Sequence, residues 1–310
     1  KAGAIAGDLA AVEEMYALKA LLASLGSGMT DVRPAMSGID PSMPRSAYIF
    51  NPTIAGIEQA DAILIVGANP RREAALINAR IRKTWRAKGL PIAVIGERAD
   101  LTYDHTYLGE GFESLAELAA GRGAFADILA KAERPLIIVG EGAVSHAALG
   151  KQVGRDTIAL AAKLATAGAA VAEGWNGFAL LHNAASRVGG LDIGFVPHDG
   201  GVCSADQIAM AGRGELDVMF MLGADEYDMS AMGKAFMVYI GTHGDAGAHR
   251  ADVILPAATY TEKSGTYVNT RALIPGGVAR ARLQPLPDFH SLCHQRQLTR
   301  VALRNTHPAP

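Results

Sequence analysis

Two segments of this chain share one unusual order of residues. Asp61 opens an apolar run, Ala62–Val66, that ends in Gly67-Ala68-Asn69-Pro70 and is followed by a basic stretch from Arg71 to Lys83. Asp217 opens a second run, Val218–Leu222, that ends in Gly223-Ala224-Asp225-Glu226. Short apolar runs bounded by turn residues read as strands covered on both faces. A strand, a Gly-Ala-Asx turn and a helix, present twice, predict a duplicated α/β half.

The remaining pattern supports this. Apolar runs at Ile63–Val66, Ile92–Ile95, Leu136–Val139, Ala169–Ala172, Val218–Leu222, Met237–Ile240 and Val253–Leu255 alternate with helical periods. The helices are expected at 8–25 (capped by Asp8), 53–60, 72–87, 109–120, 123–132, 146–167, 178–187, 208–212 and 229–235. Such alternation predicts right-handed crossovers and doubly wound, mostly parallel sheets. The expected organisation is a first α/β subdomain over 1–188 and a second, incomplete one over 189–270. Glycines at 189–201 mark a loop and hinge between them. Hydrophobic residues at 49% and charged residues at 19% of 310 provide for a packed core. No apolar run approaches the roughly 20 residues of a membrane span.

Residues 271–310 differ in kind. They hold six arginines against the single acid Asp288, and five of the fourteen prolines. The composition predicts a basic, poorly ordered tail rather than a nucleic-acid-binding one. The first residues lack the apolar region of a signal peptide, and the absence of an initiator Met is expected of a fragment or processed chain.

Candidate chemistry is sparse. Cys203 and Cys293 are the only cysteines, with no Cys-x-x-Cys spacing, so this segment is not expected to hold an iron–sulfur cluster on cysteine ligands. Gly67, Ala68, Asn69 and Pro70 form a strand-to-helix turn that could bind a phosphate or pterin diphosphate, or be a tight turn without ligand. Asp225 occupies the matching place in the second unit. Gly140-Glu141-Gly142 is half a dinucleotide fingerprint and reads as a structural turn. His243, Asp245 and His249 are too few and too loosely spaced for a metal centre and read as turn residues. Arg71, Arg72, Arg80, Arg82, Lys83 and Arg86 form a cationic helix surface, expected to be solvated or ion-paired. No nucleophile–base pair is evident, and no catalytic or metal-binding residue is assigned.

Longer runs carry a resemblance. Glu14–Lys19, Tyr48–Asn51, Asn69–Ala74, Asn78–Lys83, Leu222–Glu226, Arg250–Pro256 and the run Tyr-Thr-Glu-Lys-Ser-Gly-Thr-Tyr-Val-Asn-Thr (260–270) resemble the large iron–sulfur subunit of respiratory complex I, NADH:quinone oxidoreductase. The resemblance covers about residues 1–270 and stops after Thr270. It implies the part of that subunit built like the molybdopterin oxidoreductases, which in complex I is understood to have lost its molybdenum cofactor. Gly67, Ala68, Asn69, Pro70 and Asp225 would then be vestiges of a pterin site. It also implies 2Fe–2S and 4Fe–4S clusters in an N-terminal part outside this segment, other peripheral-arm subunits as partners, and no direct membrane insertion. The place implied is the cytoplasmic side of the bacterial inner membrane, or the matrix side in mitochondria. The alternatives from the residues are a pterin-binding enzyme fragment and a nucleotide-binding module.

Overall fold

The computed structural model describes residues 1–33, 38–39, 42–144, 151–244 and 246–270, the side chains of 151–154 excepted. The expected tail, 271–310, lies outside the described residues. The chain forms two compact units, one of residues 1–34 with the chain from 184 onward, the other of 35–183. A single cut near 188 therefore misses that the N-terminal segment belongs with the C-terminal one.

The reason is a strand absent from the sequence expectation. Ala2–Ala6 (β1) is fully buried and pairs in parallel with Val218–Leu222 (β10), Ala2 opposite Val218 and Ala6 opposite Leu222. Its other neighbour is Thr30–Asp31 (β2). Phe236–Gly241 (β11) and Val253–Pro256 (β12) extend the sheet beyond β10, giving the order β12-β11-β10-β1-β2, all parallel.

The second unit repeats this plan. Ala62–Val66 (β3), Ile92–Ile95 (β4), Thr106–Gly109 (β5), Pro135–Val139 (β6) and Phe178–Leu180 (β9) form an all-parallel sheet ordered β5-β4-β3-β6-β9. The central strands are Ile- and Val-rich and buried on both faces, as parallel strands under helices must be. Two expectations change here. Phe178–Leu180 is strand rather than helix, and helix begins only at Arg187. Val171–Ala172 (β7) joins Trp175–Asn176 (β8) in a small antiparallel pair outside the main sheet.

Local chemistry sets the helix ends. The first helix runs over Val12–Ser24. The Glu14 carboxylate accepts from the Ala11 N–H at 2.8 Å, and the Val12 N–H donates to the Thr266 carbonyl at 3.0 Å. These contacts satisfy first-turn donors. Asp8, expected as the cap, instead takes the buried Arg187 guanidinium at 3.1 Å. The helix over Ala75–Lys88 ends at Gly89, whose φ of +63° gives the left-handed C-terminal turn.

Two of the glycines expected as a hinge are tightly packed. Gly189 and Gly190 lie in the Arg187–Asp192 helix, where an added Cβ would come within 2.6 Å of Val12 and of Val32 respectively. They let backbone and side chains approach.

Candidate functional site

In open parallel sheets ligands bind beyond the carboxyl ends of the strands, where the strand order reverses. Each unit has one such place. In the 35–183 unit it lies between β3 and β6, in the other between β10 and β1.

The two places are built alike. Gly67 follows β3 with φ +60°, and Gly223 follows β10 with φ +55°. The Gly67 N–H donates to the Ile95 carbonyl at 2.8 Å, and the Gly223 N–H to the Ile240 carbonyl at 2.7 Å. Across each reversal a second glycine closes in. The Gly140 N–H donates to the Val66 carbonyl and the Gly7 N–H to the Leu222 carbonyl, both at 2.9 Å. A Cβ at Gly140 would stand 2.6 Å from the Gly67 carbonyl oxygen, and one at Gly7 would stand 1.9 Å from that of Gly223. Backbone thus presses on backbone at both reversals.

A glutamate follows each turn. The Asn69 N–H donates to Glu73 Oε1 at 2.7 Å, and the Asp225 N–H donates to Glu226 Oε2 at 3.1 Å. Glu73 Oε2 and Asn69 Oδ1 are buried without a partner among the described residues. Burial pushes the Glu73 carboxyl above the ordinary glutamate range; the Asn69 N–H opposes this, and Glu141 adds to it. Glu226 is raised by burial, with the Asp8 and Asp225 carboxylates contributing.

Crevices open beside both turns. One of about 300 Å³ is lined by residues that include Gly67, Gly96, Glu97, Glu110 and Ala143. The other, of about 290 Å³, includes Asp8, Glu14, Asp225, Glu226, His243 and Lys263. The Lys263 ammonium is already paired with Glu14 at 2.5 Å. Neither lining offers an arginine, and among the charged side chains of both the carboxylates outnumber the cations.

Of the residues singled out in the sequence, Gly67, Ala68, Asn69 and Pro70 do come together as one strand-to-helix turn, and Asp225 holds the matching place. Gly140–Gly142 passes into a short 3-10 turn whose Ala143 backbone fills the space beside Gly67, where a Cβ would be 2.3 Å from Ala143 N. The His243 ring bonds Thr242, His249 sits in the Ala246–Arg250 helix, and Asp245 lies outside the described residues. Among the described residues no three His, Cys, Asp or Glu are grouped to hold a metal ion. Three of the six expected cations are ion-paired: Arg71 meets Asp100 at 2.6 Å, Lys83 meets Glu58 at 2.9 Å, and Arg80 also binds Glu58. Cys203 is buried, and Cys293 is outside the described residues. Sequence reasoning missed Glu73 and Glu226 as turn partners. The signal available was an acid close behind each Gly-Ala-Asx turn.

A family model for molybdopterin oxidoreductases matches residues 1–285. This chain belongs to the molybdopterin oxidoreductase family. The match runs past Thr270, where the resemblance in sequence stops, so the first part of the basic tail is included. Among relatives, a subunit of the NADH-quinone oxidoreductase of Rickettsia conorii is 41% identical over 294 residues, covering 92% of this chain and 41% of the relative. The mitochondrial NADH-ubiquinone oxidoreductase 78 kDa subunit of Neurospora crassa is 43% identical over 281 residues, 87% of this chain and 35% of that protein. The mitochondrial NADH dehydrogenase iron-sulfur protein 1 of Solanum tuberosum is 38% identical over 91% of this chain and 36% of its own length. The resemblance to the large iron–sulfur subunit of complex I is thus borne out. The chain spans about two fifths of the length of these relatives. In fold it is similar to a chain of the formyltransferase/hydrolase complex of Methylorubrum extorquens, solved with methylofuran, at a TM-score of 0.61 and 21% identity, covering 88% of this chain and 84% of that one.

Proposed function

We propose that this chain is part of the iron–sulfur subunit of an NADH:quinone oxidoreductase and acts there as a scaffold. Electrons pass from NADH to quinone through clusters carried by portions of the subunit outside this segment. The chain positions those portions and meets other peripheral-arm subunits, on the cytoplasmic or matrix side of the membrane. No helix among the described residues is long and apolar enough to cross a membrane.

The observation that carries the reading is the chemistry of the two strand-order reversals. A phosphate-bearing pterin needs N–H and cationic donors. The residues present do not fit it: each turn offers an N–H already held by a glutamate, and more carboxylates stand beside it. The relatives' names supply the assembly, and the two isolated cysteines agree with clusters held elsewhere.

The test uses a substitution that weakens the fold. In the assembled enzyme, Asp31→Ala lowers the amount of complex while turnover per bound flavin stays within about twofold, a rate change worth less than ~0.5 kcal/mol. Full assembly with turnover per flavin down by orders of magnitude would give this segment a part in the chemistry.

A further inference from the structure

We propose that Val253–Pro256 (β12) is an open docking edge, closed in the assembled enzyme by an extended, apolar segment of the same subunit from outside residues 1–310. The inference rests on the reading of this chain as part of a larger subunit, and adds where a further portion of that subunit attaches.

An edge strand presents unpaired main-chain groups, and stable proteins cover or guard it. Three of the four edges of the two main sheets are treated in that way. Along β9 the Leu180 N–H donates to the Ile49 carbonyl at 3.1 Å and the Asn51 N–H to the Phe178 carbonyl at 3.4 Å, with Phe50 bridged antiparallel to Ala179. Beside β2 the Thr30 hydroxyl donates to the Val196 carbonyl at 3.0 Å and the His198 N–H to the Gly28 carbonyl at 3.1 Å. Both covering segments come from this chain and lie outside the main sheets, and the strands they cover are buried. The third edge, β5, is guarded by polarity: it carries Thr106 and Tyr107, and the Arg98 guanidinium stands 3.8 Å over the Tyr107 ring.

The fourth edge has neither device. β12 reads Val-Ile-Leu-Pro and is exposed throughout, Val253 at 37%, Ile254 at 51% and Leu255 at 47%. Successive side chains point to opposite faces, so both faces of this strand are bare, whereas strands of parallel sheets are normally covered on both. Among the described residues only β11 pairs with it, and Phe236 at the start of β11 is exposed too. The neighbouring charges do not guard the edge, because they are engaged inward. The Asp252 carboxylate accepts from the Met237 N–H at 2.8 Å, and Arg250 donates to the Gly233 and Ala235 carbonyls at 2.8 and 2.9 Å. Pro256 ends the run and confines pairing to the three residues before it.

These features define the occupant. An open strand edge takes extended main chain, and two bare apolar faces take apolar side chains. The apolar edges β2 and β9 are each closed by an extended segment of their own polypeptide. The chain spans only about two fifths of its relatives, so most of such a subunit is available to supply the third.

Photo-crosslinking and hydrogen exchange on the assembled enzyme provide the test. With p-benzoylphenylalanine in place of Ile254, irradiation should join this position to a peptide of the same subunit from outside residues 1–310. An adduct to another subunit, to a second copy or to residues 271–310 overturns the proposal. Hydrogen exchange needs no substitution and decides if the labelled variant does not assemble. A peptide spanning 252–257 should exchange at least about tenfold more slowly in the assembled enzyme than in the isolated chain. Equal exchange in the two overturns the proposal. Either failure leaves turnover per flavin, which tests the scaffold reading, unchanged.

Discussion

The two units share a strand layout but reach it in opposite chain order and with different cores. In the 35–183 unit the run β3-β4-β5 comes first and β6 and β9 follow. In the other unit the adjacent pair β1 and β2 comes first, the whole 35–183 unit intervenes, and β10-β11-β12 follow. The first arrangement is nearly local; the second pairs Ala2 with Val218 across most of the chain. Cores follow suit. Ile57, Ile63, Ile65, Ile77, Ile81, Ile92 and Ile138 fill one. Met219, Met221, Met229, Met232 and Met237 fill the other. Branched isoleucines have few rotamers and specify one packing, whereas methionine adapts to irregular space. The contiguous unit is therefore the stiffer body, and the discontinuous one is held by non-local pairing and a few buried polar contacts.

The largest expected effect breaks one of those contacts. Asp31 is fully buried; it accepts from the Arg33 Nε at 2.8 Å and from the Ser204 N–H at 2.9 Å. Asp31→Ala takes an acceptor from both the buried Arg33 guanidinium and the Ser204 N–H and should cost about 3–5 kcal/mol. Hydrogen exchange should show β1 and β10 losing protection while β3 and β6 keep theirs. Simultaneous loss in both would mean the units do not differ in the way described.

The next comparison sets one glycine against the other. Both have positive φ, which costs an alanine on the order of 1 kcal/mol. At Gly223 nothing stands within 4 Å of the added Cβ, whereas at Gly67 it meets Ala143 at 2.3 Å. Gly67→Ala should therefore cost about 2–4 kcal/mol and Gly223→Ala about 1. Equal costs in denaturant melts would remove the asymmetry between the crevices.

A smaller contrast tests the cores. Ile65→Val should cost about 1 kcal/mol. Met221→Leu should cost less, because a volume-conserving swap suits a methionine core. The reverse ranking would contradict the account of stiffness.

The smallest effect is a pH dependence. Glu73 is raised in the folded state chiefly by burial. The fold therefore disfavours its ionised form, and this contribution is absent below the ordinary glutamate pKa and grows as pH rises through the raised one. Glu73→Gln keeps an oxygen for the Asn69 N–H and should stabilise the chain at neutral pH by less than about 1 kcal/mol, with the gain gone in acid. A gain that persists at low pH would point to packing instead.

Much of the framework was legible because parallel strands covered on both faces are continuous apolar runs. Ile63–Val66, Ile92–Ile95, Leu136–Val139 and Val218–Leu222 all appear where such runs stand. Strands without that signature were not legible. Ala2–Ala6 is built mostly of Ala and Gly, Thr30–Asp31 is two residues long, and Phe178–Leu180 is followed by an Ala-containing stretch that imitates a helix. The site was half legible. The Gly-Ala-Asx turns are local and carry their own spacing. The closing partners Gly7 and Gly140 come from another strand, and the glutamate contacts depend on side-chain direction, so spacing alone could not supply them.

Elemental analysis of the purified chain tests the central claim most directly. If this segment supports electron transfer without reacting in it, the protein contains no stoichiometric iron, molybdenum or phosphorus, has no visible cluster absorbance, and does not oxidise NADH. Molybdenum together with phosphorus near one pterin per chain would contradict the account.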